Sequence, residues 1–362
     1  MITTITWPQA LAWRLRRHLL DPVGTESVTE VVRRLGAIQA QVPASAELAV
    51  RLRRQHSKPG EVEQALAEGR IIKAWVMRGA IHLLTPEDGG GYLAVMASRR
   101  QWELPSWQRF YRLTPADWEP FRVAVRDALA DGPLTTDELG AAVTAVPKFR
   151  HLHFAFAEHA STILKPLFWQ GVMSFGPARD GRATFQRLDL NPRWAGLPEP
   201  DEAGTRVVET YLRAYGPASV ENVRYWQNAG LKPARSWLAG LGDRLAEIDV
   251  EGERAYVLRE DLDELEATRP TPAVRLLPGY DQWVLGPGTA DPHVVSPGRR
   301  QLISRQAPFV ISGGVVSGTW GIADDQVTVD WFTEAGPTPR EALADEVAHL
   351  SAILERSLRL RT

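Results

Sequence analysis

Two glutamines one residue apart, Gln39 and Gln41, lie in the stretch VTEVVRRLGAIQAQVP, residues 28–43. A carboxamide oxygen accepts a hydrogen bond and its nitrogen donates one, but the group cannot take up a proton. A pair aimed one way suits orienting a water molecule beside something anionic that the neighbouring Arg33 and Arg34 would attract. Direction depends on the backbone: residues two apart point about 200° apart on a helix and share a side on an extended chain. Val28, Val31, Val32 and Leu35 recur at helical spacing with Arg33 and Arg34 on the other side. Gly36 loosens that pattern and Pro43 pushes Val42 towards an extended conformation, so the glutamines fall where the helix gives out. Spacing alone also allows two solvated glutamines at a helix terminus.

Other familiar chemistry is missing. The chain has no GxSxG elbow, no P-loop, no HExxH and no dinucleotide glycine fingerprint. Without cysteine there is no thiolate nucleophile, disulfide or cysteine-ligated zinc. His151, His153 and His159 are the densest titratable cluster, with no acidic partner at ligand spacing, so no metal site and no cofactor is expected. Gly89-Gly90-Gly91 has no following lysine and is read as conformational. Most of the 13 tryptophans are assigned to packing.

The 362 residues suffice for two or three domains, and 44% hydrophobic with 24% charged residues is ordinary globular composition. No apolar run approaches 18 residues and no signal-peptide pattern is present, so a cytoplasmic protein with no membrane partner is expected. Net charge is −2, yet residues 1–112 hold sixteen Lys and Arg against ten Asp and Glu. A GC-rich coding bias explains much of the arginine excess. A local basic surface remains compatible with DNA, because phosphates respond to the local field.

Three segments share a plan of helices followed by a two-stranded hairpin. In the first, Trp7–Leu20, Val28–Ile38 and Gly60–Leu66 read as helices, and Ile71–Trp75 pairs with Ala80–Leu84 around Met77-Arg78-Gly79. The second has helices over Phe121–Leu129, a Thr-capped stretch from Leu134, and Ala155–Gln170, then a hairpin across Ala178–Gly181. The third has helices over Thr205–Tyr215, Ser219–Ala229 and Lys232–Leu241, then Leu245–Val250 paired with Arg254–Leu258. Helix–helix–helix–hairpin is the winged-helix plan. The predicted fold class is α+β: winged helices over residues 1–112, 113–198 and 199–268, then a β-barrel-like domain over 269–362. The last domain has strands at Val274–Leu277, Gln282–Leu285, Phe309–Ser312, Val315–Thr319 and Gln326–Phe332, and a final helix over Pro339–Leu358.

Four stretches, in register and spanning nearly the whole chain, carry a resemblance: LGAIQAQVP at 35–43, KAWVMRGAIHLLTPED at 73–88, LLPGYDQWVLG at 276–286 and VVSGTWG at 315–321. The chain resembles the AlkZ-like DNA glycosylases, a family of three tandem winged helices and a C-terminal β-barrel. That family uses glutamine–hydrophobic–glutamine in its antibiotic-resistance branch and glutamine–hydrophobic–aspartate in a housekeeping branch. Gln39, Ala40 and Gln41 match the first. The resemblance implies a monofunctional glycosylase that hydrolyses the N-glycosidic bond of bulky N7-alkylguanines, including interstrand crosslinks, and gives self-resistance to a genotoxic natural product. Gln39 and Gln41 would be catalytic, and double-stranded DNA the partner of a monomer. Arg33, Arg34, Arg78, His82, Arg299, Arg300 and Arg305 are the expected DNA contacts. Arg78 as a solvated turn residue and His82 as a hydrogen-bonded strand residue are equally compatible with the sequence. The competing class is a non-enzymatic tandem winged-helix binder, either regulator or lesion shield. Its recognition helix would be polar and basic, whereas Ala155–Gln170 and Lys232–Leu241 are mostly apolar.

Overall fold

Thr6 and Pro8 set the start of the first helix, Trp7–Arg17, with the Thr6 hydroxyl accepting the Gln9 N–H at 3.3 Å. The computed structural model describes residues 3–361. The chain forms two compact units: residues 1–62 with 208–362, and residues 63–207.

In the first unit the opening helix serves two apolar clusters. Ala10 and Trp13 pack with Ile5, Ile248, Val250 and Val257. Leu11 and Leu15 pack with Val274, Leu276, Trp283 and Phe309. The first cluster backs a three-stranded sheet. Leu245–Val250 and Glu253–Leu258 form the expected antiparallel hairpin, and Thr3–Ile5 adds a parallel edge strand opposite Ile248–Val250.

The second cluster fills the C-terminal sheet. Val274–Leu277, Phe309–Ser312, Val315–Ala323 and Gln326–Trp331 run antiparallel in that order, and Arg359–Leu360 joins parallel to the last. Val274–Leu277 and Arg359–Leu360 are open edges, so the barrel-like expectation becomes a curled half-barrel. The helix Arg340–Leu354 lays Leu343, Val347, Leu350 and Ile353 against it. Gln282–Leu285, expected as a strand, is a short helix. The Asp281 carboxylate accepts the Trp283 N–H at 2.8 Å and caps it, a local competitor that apolar patterning does not register.

In the second unit Ile72–Trp75 pairs with Ile81–Leu84 around the turn Met77–Gly79. Thr184–Arg187 lies between Leu134–Thr135 and Met173–Phe175. Trp75, Phe168, Phe175 and Phe185 form one aromatic cluster, with Trp75 4.9 Å from Phe168 and 4.8 Å from Phe175. The helix Thr136–Ala145 carries the expected Thr135 cap, reciprocated by Glu138. The stretch expected as one helix over 155–170 is two, His153–Glu158 and Ala160–Trp169, interrupted at His159. The glycine run lies inside the helix Pro86–Ala97, where a Cβ on Gly90 would fall 1.9 Å from the Gly196 carbonyl oxygen. Close approach, not ligand binding, requires glycine there.

Candidate active site

The segment carrying Gln39 and Gln41 is fixed at both ends within the first unit. Ser27 caps the helix Val28–Leu35 by accepting the Glu30 N–H at 3.2 Å. Val28, Val31, Val32 and Leu35 are buried along one face. At the far end the Tyr215 hydroxyl donates to the Leu35 carbonyl at 3.0 Å, satisfying a carbonyl that a helix terminus leaves open. Ile38–Gln39 then runs as a short strand. Ile38 and Ala40 are buried, Gln39 is half-buried and Gln41 exposed. Such in–out alternation belongs to extended backbone and puts both amides on the side away from the core.

Val42 is extended, at φ −114° and ψ 105°, and Pro43 opens the helix Pro43–Arg51, which the sequence reading did not include. Just past its end, buried Arg53 donates from Nη1 and Nη2 to the Asp281 carboxylate at 2.8 and 2.7 Å, and from Nη1 to the Ala49 carbonyl at 2.7 Å. Asp281 follows Tyr280, a non-glycine residue at φ 66°. Gly279 faces Gln306, itself at φ 71°, and a Cβ on Gly279 would sit 2.1 Å from the Gln306 carbonyl oxygen. Between these backbones lies a cleft of about 210 Å³ whose walls include Gln39, Tyr225, Tyr280, Leu285, Ile303 and Gln306. None of the described residues lining it is charged. Such a lining can orient water and enclose apolar groups. It supplies no carboxylate base.

The expected DNA contacts separate by environment. Arg33 pairs with Glu30 of its own helix at 2.5 Å, and Arg34 with Glu26, which precedes that helix, at 2.8 Å. Arg78 sits half-buried in the hairpin turn at φ 55°. His82 is fully buried, and its Nδ1 lies 3.1 Å from the Ala80 carbonyl oxygen. That oxygen only accepts, so Nδ1 carries the proton. Burial, and then the nearby Arg78 charge, push the imidazole down to about 3. A neutral, enclosed ring offers DNA neither charge nor surface, and the hydrogen-bonded strand role describes His82. Arg299 makes two hydrogen bonds to Glu334, at 2.7 and 3.0 Å, and lies 4.0 Å above the Phe332 ring. Arg300 and Arg305 are exposed and in no ion pair among the described residues.

Several residues of the cleft escaped the sequence reading. Tyr225, Tyr280 and Gln306 reach one cleft from distant parts of the chain. In the second unit, Lys73 lies 5.5 Å over the Phe175 ring and Lys165 5.8 Å over Trp75. Partial burial lowers the pKa of both, and neither has an acidic partner among the described residues. Lysine scarcity, five in a chain of 42 basic residues, was a signal that could have drawn attention to them. His151 has its Nε2 3.2 Å from the Tyr111 carbonyl oxygen. No group of three His, Cys, Asp or Glu among the described residues could hold a metal ion.

Residues 32–353, both glutamines included, match the family model for AlkZ-like DNA glycosylases. The chain belongs to that family. An interstrand DNA cross-link repair glycosylase from Streptomyces sahachiroi is 39% identical over 355 residues, 96% of each chain. The solved structure of Streptomyces sahachiroi DNA glycosylase AlkZ matches with a TM-score of 0.94 at 38% identity, covering 99% of this chain and 100% of that one. Membership makes the protein a DNA glycosylase with DNA as its partner, and sets aside the non-enzymatic binder. Among the described residues, no helix is long and apolar enough to cross a membrane.

Proposed function

We propose that this glycosylase hydrolyses the N-glycosidic bond of bulky N7-alkylguanines, interstrand crosslinks included, with Gln39 and Gln41 positioning the water. The observation that carries the reading is the outward pair of amides, Gln39 at an uncharged cleft and Gln41 at an exposed position. Alkylation at N7 makes guanine cationic, so the base leaves without a strong acid. The C1′–N9 bond breaks with its electron pair going to the base, which departs neutral. Positive charge grows on the deoxyribose, the water oxygen bonds to C1′, and its proton passes to solvent or a neighbouring phosphate. The protein's task is to hold that water. An amide oxygen that accepts and an amide nitrogen that donates suffice to orient it, as a glutamine does in nucleotide hydrolysis.

A crosslinked base is tethered and cannot swing into a closed pocket, the usual route for base-excising enzymes. An open cleft suits it better. The 39% identical relative named for cross-link repair supports that substrate class, and self-resistance to a genotoxic natural product is the biological role we assign. A parse into winged helices over 1–112, 113–198 and 199–268 belongs to the same proposal, as do a monomeric, cytoplasmic enzyme and phosphate contacts by Arg78, Arg300 and Arg305. The test is direct: incubate the protein with duplex DNA carrying N7-methylguanine or an N7–N7 crosslink, then cleave abasic sites with alkali. Strand breaks at the modified guanines are expected. Intact DNA from both substrates contradicts the proposal.

A further inference from the structure

We infer that Tyr225 and Tyr280 form a ring-binding subsite beside Gln39, for a planar aromatic group attached to the base being removed. The inference rests on the N7-alkylguanine reading above and names a feature of the substrate which that reading leaves open.

The two tyrosines face the same cleft as Gln39, with Leu285 and Ile303 completing its apolar walls. At about 210 Å³ it falls below the roughly 300–1,000 Å³ of pockets that enclose a whole small molecule. One or two fused rings on an arm are the better match. Both walls are held rigidly. Tyr280 is locked between Gly279, pressed against the Gln306 carbonyl, and Asp281, gripped by buried Arg53 while it caps the next helix. Tyr225 stands on the helix Val220–Gln227, and its ring lies so near Gly288 that a Cβ there would come within 3.0 Å of it. Left-handed backbone at Tyr280 and at Gln306, φ 66° and 71°, is the kind of sparsely populated conformation that surrounding structure maintains at ligand sites. A larger cleft of about 300 Å³ shares Tyr225 but is lined with Glu221, Arg224, Glu253, Arg254 and Asp291. That charged lining is unsuited to an apolar ring. Stacking on a rigid aromatic is largely indifferent to the ring's identity, so the subsite selects for a ring and not for one compound.

The test compares kcat/KM on duplexes holding N7-benzylguanine and N7-methylguanine. The benzyl-to-methyl ratio of the unaltered enzyme is expected to fall about tenfold in Tyr280→Ala and in Tyr225→Ala, the scale of one lost stacking contact. It is expected to stay within about twofold in Tyr280→Phe, which keeps the ring. Should Tyr280→Ala fail to fold, Tyr280→Leu retains bulk without a ring and gives the same reading. A ratio unchanged in both ring-deleted variants, or lost equally in Tyr280→Phe, overturns the subsite. Failure of the unaltered enzyme to release either base instead overturns the N7-alkylguanine reading beneath it.

Discussion

His82 illustrates how burial changes what a residue type means. On the sequence it follows an arginine-bearing turn and reads as a DNA contact. In the structure it is a neutral core imidazole, because the low-dielectric interior and Arg78 both oppose a second proton. This has a consequence for stability. The folded state holds His82 at about 3, whereas an unfolded histidine titrates near 6.5. As pH falls below about 6.5 the unfolded chain takes the proton first, so stability is lost, by up to about 1.4 kcal/mol per pH unit until the folded pKa is reached. Denaturant midpoints between pH 7 and 4.5 should therefore fall less steeply for His82→Gln than for the unaltered protein. Equal slopes would place the ring in solvent. Arg78 remains the proposed DNA contact of that hairpin. Arg78→Ala should weaken DNA binding across sequences and reduce the salt slope by about one unit, and an unchanged slope would remove it from the interface.

The elements around the cleft form a closed circuit of constraint. The strand with Gln39 leads into the helix Pro43–Arg51, that helix delivers Arg53 to Asp281, and Asp281 anchors Tyr280, which faces Gln39 again. Removing one partner of a fully buried ion pair costs about 3–5 kcal/mol, since the other charge is left uncompensated. Arg53→Met should lower stability by that amount. Asp281→Asn in the same chain should recover part of it, and a single variant losing under about 1 kcal/mol would show that the pair carries little of the local order. The alternation Ile38 in, Gln39 out, Ala40 in was legible because it depends on spacing within a few residues and on Pro43. So were the hairpins at 72–84 and 245–258, whose strands and turns are contiguous. The parallel pairing of Thr3–Ile5 with residues 248–250 was not legible, because nothing local in either stretch names its partner. Tyr225, Tyr280 and Gln306 were hidden for the same reason. The Gln282–Leu285 helix was missed because one capping carboxylate outweighed a strand-like apolar run.

Across the whole molecule, a net charge of −2 gives no general attraction to DNA, so association must draw on local cations. Arg299 is committed to Glu334, and Arg33 and Arg34 to their own glutamates, which leaves Arg300 and Arg305 as the exposed cations of that group. With Arg78, Arg300 and Arg305 all changed to alanine, the slope of log affinity against log salt should shrink by about three units. A triple variant with the original slope would put the DNA elsewhere. Family membership makes the protein a DNA glycosylase, and the cleft beside Gln39 is where its chemistry is proposed to occur. The most direct test is the single-turnover release of N7-methylguanine from duplex DNA by the Gln39→Ala, Gln41→Ala double variant, with DNA affinity measured alongside. The account predicts retained affinity and a rate reduced by about a hundredfold or more, the scale of losing a positioned catalytic group. Retained affinity with an undiminished rate would contradict it.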